Sequence, residues 1–122
     1  MPLEKMEEIK LKFCGKFSHE NVTSAIYKTK KLMSFEYYSA DENTIKALVF
    51  SCVNLIVLDL YCCSDIDNVD SLLIQLFKNN KKLECLKLFD FKNMTGECFL
   101  YLNKSIVKKL HYIELKILKK II

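Results

Sequence analysis

At 122 residues, 51% of them hydrophobic, the chain is long enough to bury a core, and we expect residues 1–122 to form one domain. Two glycines and one proline are too few for the turns of a β-sandwich or the phosphate loop of a dinucleotide-binding fold. The N-terminal residues lack a signal-peptide pattern, no apolar run reaches the length of a membrane span, and the net charge is +4. These features predict a cytoplasmic protein, with a nuclear location as the alternative.

Five apolar triplets recur along the chain, each with large apolar residues at its first, fourth and sixth positions. They start at residues 6, 32, 55, 83 and 110, so the spacings are 26, 23, 28 and 27 residues. Such spacings are typical of leucine-rich repeats, which recur every 20–29 residues or so. In chain order the triplets are Met6, Ile9 and Leu11; Leu32, Phe35 and Tyr37; Leu55, Leu58 and Leu60; Leu83, Leu86 and Leu88; and Leu110, Ile113 and Leu115.

Each triplet predicts a short strand whose fourth and sixth positions point inward while positions 3, 5 and 7 point outward. Between the triplets, apolar residues three and four apart predict helices. Their predicted inner faces are Val22, Ala25 and Ile26; Ile45, Leu48 and Val49; Val69, Leu72, Leu73 and Leu76; and Cys98, Phe99 and Leu102. Ser39 with Glu42 matches the spacing of a capping box, and Asp67 and Thr95 are further candidate caps.

Strand and helix alternating at a constant period predict an α/β leucine-rich-repeat solenoid. We expect a right-handed horseshoe fragment of about five strand–helix repeats, with a parallel sheet on its concave side. Neither terminus has the polar character of a capping repeat. End-to-end self-association, membership of a longer chain and marginal stability are therefore three open explanations.

The C-terminal segment, residues 103–122, carries six lysines and one glutamate, whereas the rest of the chain is close to neutral. The repeat spacing favours a fifth strand over residues 110–116. The alternative is a basic amphipathic helix with Ile106, Leu110, Ile113, Ile117 and Ile121 along one face. Such a helix would bind an acidic membrane surface or a partner with a helix-binding groove.

The stretch "CVNLIVLDLYCCSDIDNVDSLL", residues 52–73, resembles the cysteine-containing class of leucine-rich repeats. Cys52, Leu55, Leu58, Leu60 and Cys63 match that class position by position. The next turn, "LECLKLFDFKNMTGECFLYL", matches again through Leu83, Leu86, Leu88, Met94 and Thr95, but has Phe91 at the second cysteine position.

Repeats of this class are typical of F-box proteins, the substrate receptors of cullin-type ubiquitin ligases. The resemblance therefore implies a module that binds a protein partner, with ubiquitin-ligase subunits as further partners through an F-box. We expect no F-box in this chain, because the first predicted strand begins near Met6. Under the longer-chain explanation for its uncapped ends, the chain is the C-terminal part of a longer F-box protein.

The outward positions of neighbouring strands form columns across the predicted sheet. One column has three adjacent aromatics between lysines, and the next has charged residues of both signs. Aromatic residues flanked by charges are typical of protein-binding hot spots. The alternative is that the rings stack on one another and brace the sheet. The predicted partner-binding residues are Tyr38, Tyr61, Phe89, Glu36, Asp59, Lys87 and Tyr112.

Catalytic and metal-binding patterns are weak in this sequence. The six cysteines, at positions 14, 52, 62, 63, 85 and 98, contain no Cys-x-x-Cys pair and are interpreted as free thiols. His19 and His111 stand alone, so pairing either with a cysteine is a poor basis for catalysis. We therefore expect no enzyme activity, no metal and no cofactor, and the near-neutral body argues against nucleic-acid binding.

Overall fold

The computed structural model describes residues 7–11, 19–29, 31–62, 65–103 and 112–116. Within them the chain alternates strands and helices, as the repeat pattern predicts. The strands are β1 (Glu8–Leu11), β2 (Ser34–Ala40), β3 (Val57–Cys62), β4 (Cys85–Phe89) and β5 (Tyr112–Lys116). The helices are α1 (His19–Lys28), α2 (Glu42–Ser51), α3 (Val69–Asn79) and α4 (Glu97–Asn103).

The five strands form one parallel sheet whose spatial order is the order along the chain. Its register agrees with the predicted columns, since position 3 of every repeat lies beside position 3 of the next. These residues are Glu8, Ser34, Val57, Cys85 and Tyr112. The predicted alignment of the five segments is confirmed, and the architecture is compatible with a repeat fold.

The core is one continuous cluster between the sheet and the helices. The three middle triplets lie entirely within it, and Ile9 of the first packs against it half-buried. The helices contribute residues of their predicted inner faces, including Ile45, Leu48, Leu73 and Leu76. Burying each large aliphatic side chain stabilises the fold by roughly 1.5–3 kcal/mol, so the triplets dominate the stability of the sheet.

The turns that lead into the strands repeat one hydrogen-bond arrangement. In each, the carbonyl of position 2 accepts from two consecutive N–H groups of the following repeat. The Glu7 carbonyl accepts from Met33 and Ser34, the Met33 carbonyl accepts from Ile56 and Val57, and the Ile56 carbonyl accepts from Glu84 and Cys85. Because each carbonyl accepts from two N–H groups, these backbone donors have hydrogen-bond partners where the strands begin.

The starts of the helices differ from the predicted caps. Asp41 is the N-cap of α2, and its side chain accepts from the N–H of Thr44 at 2.9 Å. The Thr44 hydroxyl accepts from the N–H of Asp41 in return, which completes the capping box. Ser39 has no such role because β2 continues through Ala40. Asn68, with φ of +59°, stands at the cap of α3 in place of Asp67. The prediction for Thr95 is confirmed, since its hydroxyl accepts from the N–H of Glu97 at 3.3 Å.

A strand at the C-terminal end is also confirmed, because Tyr112–Lys116 pairs with β4. The alternative prediction, a single helix that includes residues 106–121, is therefore wrong for residues 112–116, whose backbone continues the repeat register. The flanking residues 104–111 and 117–122 lie outside the described part. No helix in the part of the chain described is both long enough and apolar enough to span a bilayer.

A buried asparagine joins two consecutive turns. The Oδ1 atom of Asn80 accepts from the N–H of Leu55 at 2.8 Å. Its Nδ2 atom donates to the carbonyl of Cys52 at 3.1 Å and to that of Leu76 at 2.9 Å. Asn80 lies three residues before its triplet, as Cys52 does in the preceding turn, so the bond to Cys52 links equivalent positions.

A buried carboxylate makes a second connection, from α3 to the start of α4. Asp70 accepts from the N–H groups of Thr95, Gly96 and Cys98 at 2.7, 3.1 and 3.1 Å. A helix N-terminus has N–H groups without intrahelical partners, and a carboxylate is a strong acceptor for them. Three hydrogen bonds at the start of α4 are therefore supplied by the preceding turn, in addition to the one from Glu97 to Thr95.

Candidate protein-binding surface

The predicted aromatic column is a stack of rings across three neighbouring strands. The ring centroids of Tyr38 and Tyr61 are 4.2 Å apart with planes inclined by 45°. Those of Tyr61 and Phe89 are also 4.2 Å apart, inclined by 28°. Parallel pairing places Tyr61 directly beside Phe89, whereas β2 and β3 shift register between Tyr37 and Ala40. We name Tyr38, Tyr61 and Phe89 the aromatic stack.

Only part of this predicted surface is exposed. Tyr38, Tyr61 and Lys87 are half-buried, whereas Phe89, Asp59 and Glu36 retain 5%, 5% and 9% of their exposure. That these six residues contact a partner stays a prediction, and the last three offer a partner little accessible surface. Long side chains on adjacent parallel strands are only about 4.8 Å apart, so they cover one another.

Tyr112, the seventh predicted residue, is placed by its backbone alone. It pairs with Cys85 in the sheet, at the predicted position, and its side chain lies outside the described part. Beside it in the position 3 column, Cys85, Val57 and Ser34 are half-buried, and Glu8 at the far end is exposed. The accessible surface is thus narrow, with Tyr38 and Tyr61 at one side and small or apolar residues at the other.

A hydrogen bond connects the aromatic stack to the charged column. The Tyr38 hydroxyl donates to Oδ2 of Asp59 at 3.4 Å, a long bond that runs diagonally between neighbouring strands. Burial raises the pKa of the Tyr38 phenol, and the nearby carboxylates of Asp59 and Glu36 raise it further. The hydroxyl therefore stays protonated and available as a donor.

This bond is not predicted by the columns, because each column contains only residues at one position of the repeat. Tyr38 belongs to position 7 and Asp59 to position 5, so the contact crosses between columns. A signal was present, since Tyr38 is two residues beyond Glu36, whose register partner is Asp59. In a twisted sheet, diagonal neighbours lie within reach of a tyrosine side chain.

A second aromatic surface, on the helical side, was also missed. Tyr27 of α1 and Phe50 of α2 are 47% and 75% exposed, and both line a groove between the two helices. The helical pattern contained the signal, because Phe50 falls outside the predicted inner face of Ile45, Leu48 and Val49. Tyr27 provides a matched exposed tyrosine on the opposite side of the molecule from Tyr61.

The described cysteines divide into two environments. Cys52 and Cys98 are buried, whereas Cys62 and Cys85 on the sheet are partly exposed. Burial raises the pKa of the Cys52 thiol to about 12 and also raises that of Cys98. A thiol that stays protonated is a poor nucleophile, so neither buried cysteine has catalytic character.

We expect thiol alkylation of the folded protein near pH 8 to modify Cys62 and Cys85 and to spare Cys52 and Cys98. Peptide mapping by mass spectrometry, with urea-unfolded protein as the control, measures this for each cysteine. Rapid labelling of Cys52 under native conditions would contradict its burial.

The residues that the structure describes contain no group of three or more His, Cys, Asp or Glu side chains placed to hold a metal ion. His111 lies outside the described part, and of His19 only the backbone, at the start of α1, is described. The predicted absence of catalysis stays a prediction. The arrangement on the sheet is suited to noncovalent contacts through aromatic rings, a hydroxyl and an amine.

Comparison with known proteins does not assign the chain to a family. No protein-family model matches it, and no curated protein matches its sequence. Any functional assignment therefore depends on the repeat geometry and on the surface formed by the sheet.

Proposed function

We propose that the chain is a leucine-rich-repeat solenoid whose sheet binds a protein partner. The observation that carries the proposal is the continuous aromatic stack, in which Tyr38 and Tyr61 remain partly exposed beside Lys87. Tyrosine is enriched at protein interfaces because it combines a large apolar ring with a hydrogen-bonding group.

The solenoid part of the proposal is supported by repetition at three levels. The triplets recur at 23–28 residues, the strands align position by position, and the same bifurcated carbonyl bond opens successive strands. Parallel strand–helix–strand connections are right-handed in nearly all proteins, which supports a right-handed coil. In such a coil the sheet faces the concave side.

The binding part is supported by the order within the stack. The Tyr61 ring lies between those of Tyr38 and Phe89, and Tyr38 is further held by its bond to Asp59. Side chains that are already ordered lose little conformational entropy when a partner binds, so more of the contact energy appears as affinity. Stacking and binding are therefore compatible roles for the same rings.

The resemblance to the cysteine-containing repeats supports a more specific proposal. In this proposal the sheet recognises a substrate protein in the manner of F-box receptors, in the cytoplasm or the nucleus. Recruitment to a ubiquitin ligase would require an F-box on another segment or another chain.

We expect Tyr61→Ala to remove at least part of the set of proteins captured by the wild-type chain, while the fold survives. Losing both ring contacts should lower the free energy of unfolding by about 1–3 kcal/mol, since each aromatic pair contributes about 0.5–1.5 kcal/mol, and the lost buried area of the half-buried ring adds to this. Affinity capture with quantitative mass spectrometry measures the first effect, and circular dichroism with urea unfolding measures the second.

Tyr27→Ala is the matched control, because it removes an exposed tyrosine from the helical side. Its capture profile should equal that of the wild type. If Tyr61→Ala loses stability but captures the same proteins, the stack only braces the sheet and the binding proposal is wrong.

A further inference from the structure

A column of lysines lies outside the sheet surface described above. The residue immediately before each triplet is Lys5, Lys31, Asn54, Lys82 or Lys109, so four of the five repeats have lysine there. The preceding position adds Lys30, Lys81 and Lys108. In a repeat fold, one position of the pattern becomes one row in space. The column therefore predicts a basic row along the edge where the strands begin.

The structure places three members of this column around one groove. Lys31, Asn54 and Lys82 line it together with Met33 and Ile56, and we name it the edge groove. Both lysines are exposed, whereas Met33 and Ile56 are half-buried and form an apolar floor. The groove has a volume of about 110 Å³. Since one water molecule occupies about 30 Å³ of liquid, this is room for a single aliphatic side chain.

Helix electrostatics do not account for these lysines. Lys28 and Lys78 lie in the last turns of α1 and α3, where a positive charge stabilises the helix. Lys31 and Lys82 each follow the last residue of a helix by three positions, in the turn that leads to the next strand. That electrostatic effect falls off within the last turn of a helix, so they need another explanation.

The charges around the edge groove confine its positive region to the middle turns. Glu7 and Glu84 occupy the equivalents of Met33 and Ile56 in the flanking repeats. The uncharged floor therefore spans only the second and third repeats, with one lysine at each end. A ligand complementary to it carries negative charges at its ends and an apolar group between them.

We propose that the edge groove binds an acidic peptide segment in which one apolar side chain stands between carboxylates. The apolar residue would occupy the floor between Met33 and Ile56, and the carboxylates would pair with Lys31 and Lys82. This site is separate from the aromatic stack. It rests on the proposed function and extends it to a second contact, at the end of the sheet where the strands begin.

Two other occupants fit less well. Single-stranded nucleic acid is usually bound by aromatic rings that stack on bases, and the lining of the edge groove has none. A second copy of the chain would present the acidic turn that contains Asp65 and Asp67. Ile66, the apolar residue between them, is only 2% exposed, so it is not available to enter a groove.

The test uses a fluorescent Glu-Glu-Leu-Glu-Glu peptide and the full chain, with binding followed by anisotropy. Lys31→Glu combined with Lys82→Glu should weaken binding by about tenfold or more, since each exposed ion pair is worth up to about fivefold and is reversed. Asn54→Lys should tighten binding by a few-fold, because it adds a third lysine to the row. Lys92→Glu is the control, because Lys92 is exposed and lies beyond the C-terminal end of β4, at the opposite end of the strands. It should leave the dissociation constant unchanged.

Two further comparisons examine the chemistry of the ligand. Replacing the leucine of the peptide by serine should weaken binding if the apolar floor is used. Raising the salt concentration should weaken it as well, because the screening length falls from about 30 Å at 0.01 M to about 8 Å at 0.15 M. Thermal unfolding of each variant verifies that the fold is retained.

Unchanged binding by the double variant, or equal binding of the leucine and serine peptides, would overturn the proposal. So would an oligothymidylate that displaces the peptide and binds more tightly, which would point to nucleic acid. Concentration-dependent dimers that disappear in the double variant would instead assign the edge groove to a second copy. The aromatic stack is untouched by these variants, so their failure leaves the Tyr61→Ala experiment independent.

Discussion

Asn80→Ala should lower the free energy of unfolding by about 3 kcal/mol, a large part of the 5–15 kcal/mol or so that stabilises a typical domain. The Asn80 side chain is 1% exposed and makes three hydrogen bonds to backbone groups. Its removal leaves the N–H of Leu55 without this acceptor and two carbonyls without this donor. Each buried polar group that loses its partner costs about 1–3 kcal/mol.

The effect should be localised as well as large. Leu55 opens the third triplet, so its N–H stands where the chain enters β3. In Asn80→Ala, hydrogen exchange at Leu55 should become faster than in the wild type under native conditions. Urea unfolding followed by circular dichroism gives the global loss, and amide exchange by NMR gives the local one.

Asn43→Ala is the matched control, since Asn43 is exposed on α2. We expect a change within about 0.5 kcal/mol and no change at Leu55. In Asn80→Ala, hydrogen exchange at Leu55 could stay as slow as in the wild type while the free energy of unfolding falls by less than about 1 kcal/mol. That result would show that the Asn80 amide does not hold the two turns together.

The sheet could be predicted from the sequence because its determinants are local and periodic. Leu58 and Leu60 are two residues apart, so both face the core, and a shift by one residue would expose them both. Every repeat obeys the same constraint, so the spacing of the triplets alone determines which strand positions become neighbours. The same spacing predicts that Tyr61 lies beside Phe89, and the strand pairing confirms it.

The features that were missed depend on contacts between repeats. Asp70 and Asn80 bond to residues 25–28 positions away, and nothing in their local pattern specifies those partners. The covering of Phe89 and Asp59 likewise depends on how side chains of adjacent strands lean on one another. Column analysis predicts which residues are neighbours but not how much surface each retains.

Asp70→Asn should lower the free energy of unfolding by about 2–3 kcal/mol at neutral pH. The carboxylate accepts three backbone N–H groups at the start of α4, and hydrogen bonds to a charged group are worth about 1.5–3 kcal/mol each before the cost of burial. An amide retains one acceptor oxygen but directs N–H groups at the same donors. The α4 cap is therefore lost in part, and exchange should accelerate at Cys98.

The loss should depend on pH in a predictable direction. Burial alone would raise the pKa of the Asp70 carboxyl, but the backbone hydrogen bonds from Thr95 and Cys98 outweigh it, and the pKa lies below its usual value. A lowered pKa in the folded state means that the carboxylate stabilises the fold fully above the unfolded pKa of about 3.9. That contribution disappears as the pH falls through the lower, folded-state value.

The difference in stability between wild type and Asp70→Asn should therefore be largest near pH 7 and shrink below about pH 4. Urea unfolding at pH 7 and pH 3 measures it. Asp67→Asn, an exposed carboxylate three residues away, should differ from wild type by less than about 0.5 kcal/mol at both values. If the Asp70→Asn difference stays constant with pH, or if Asp67→Asn reproduces it, the charge on Asp70 does not hold α3 to α4. The cost would then lie in the altered shape of the side chain.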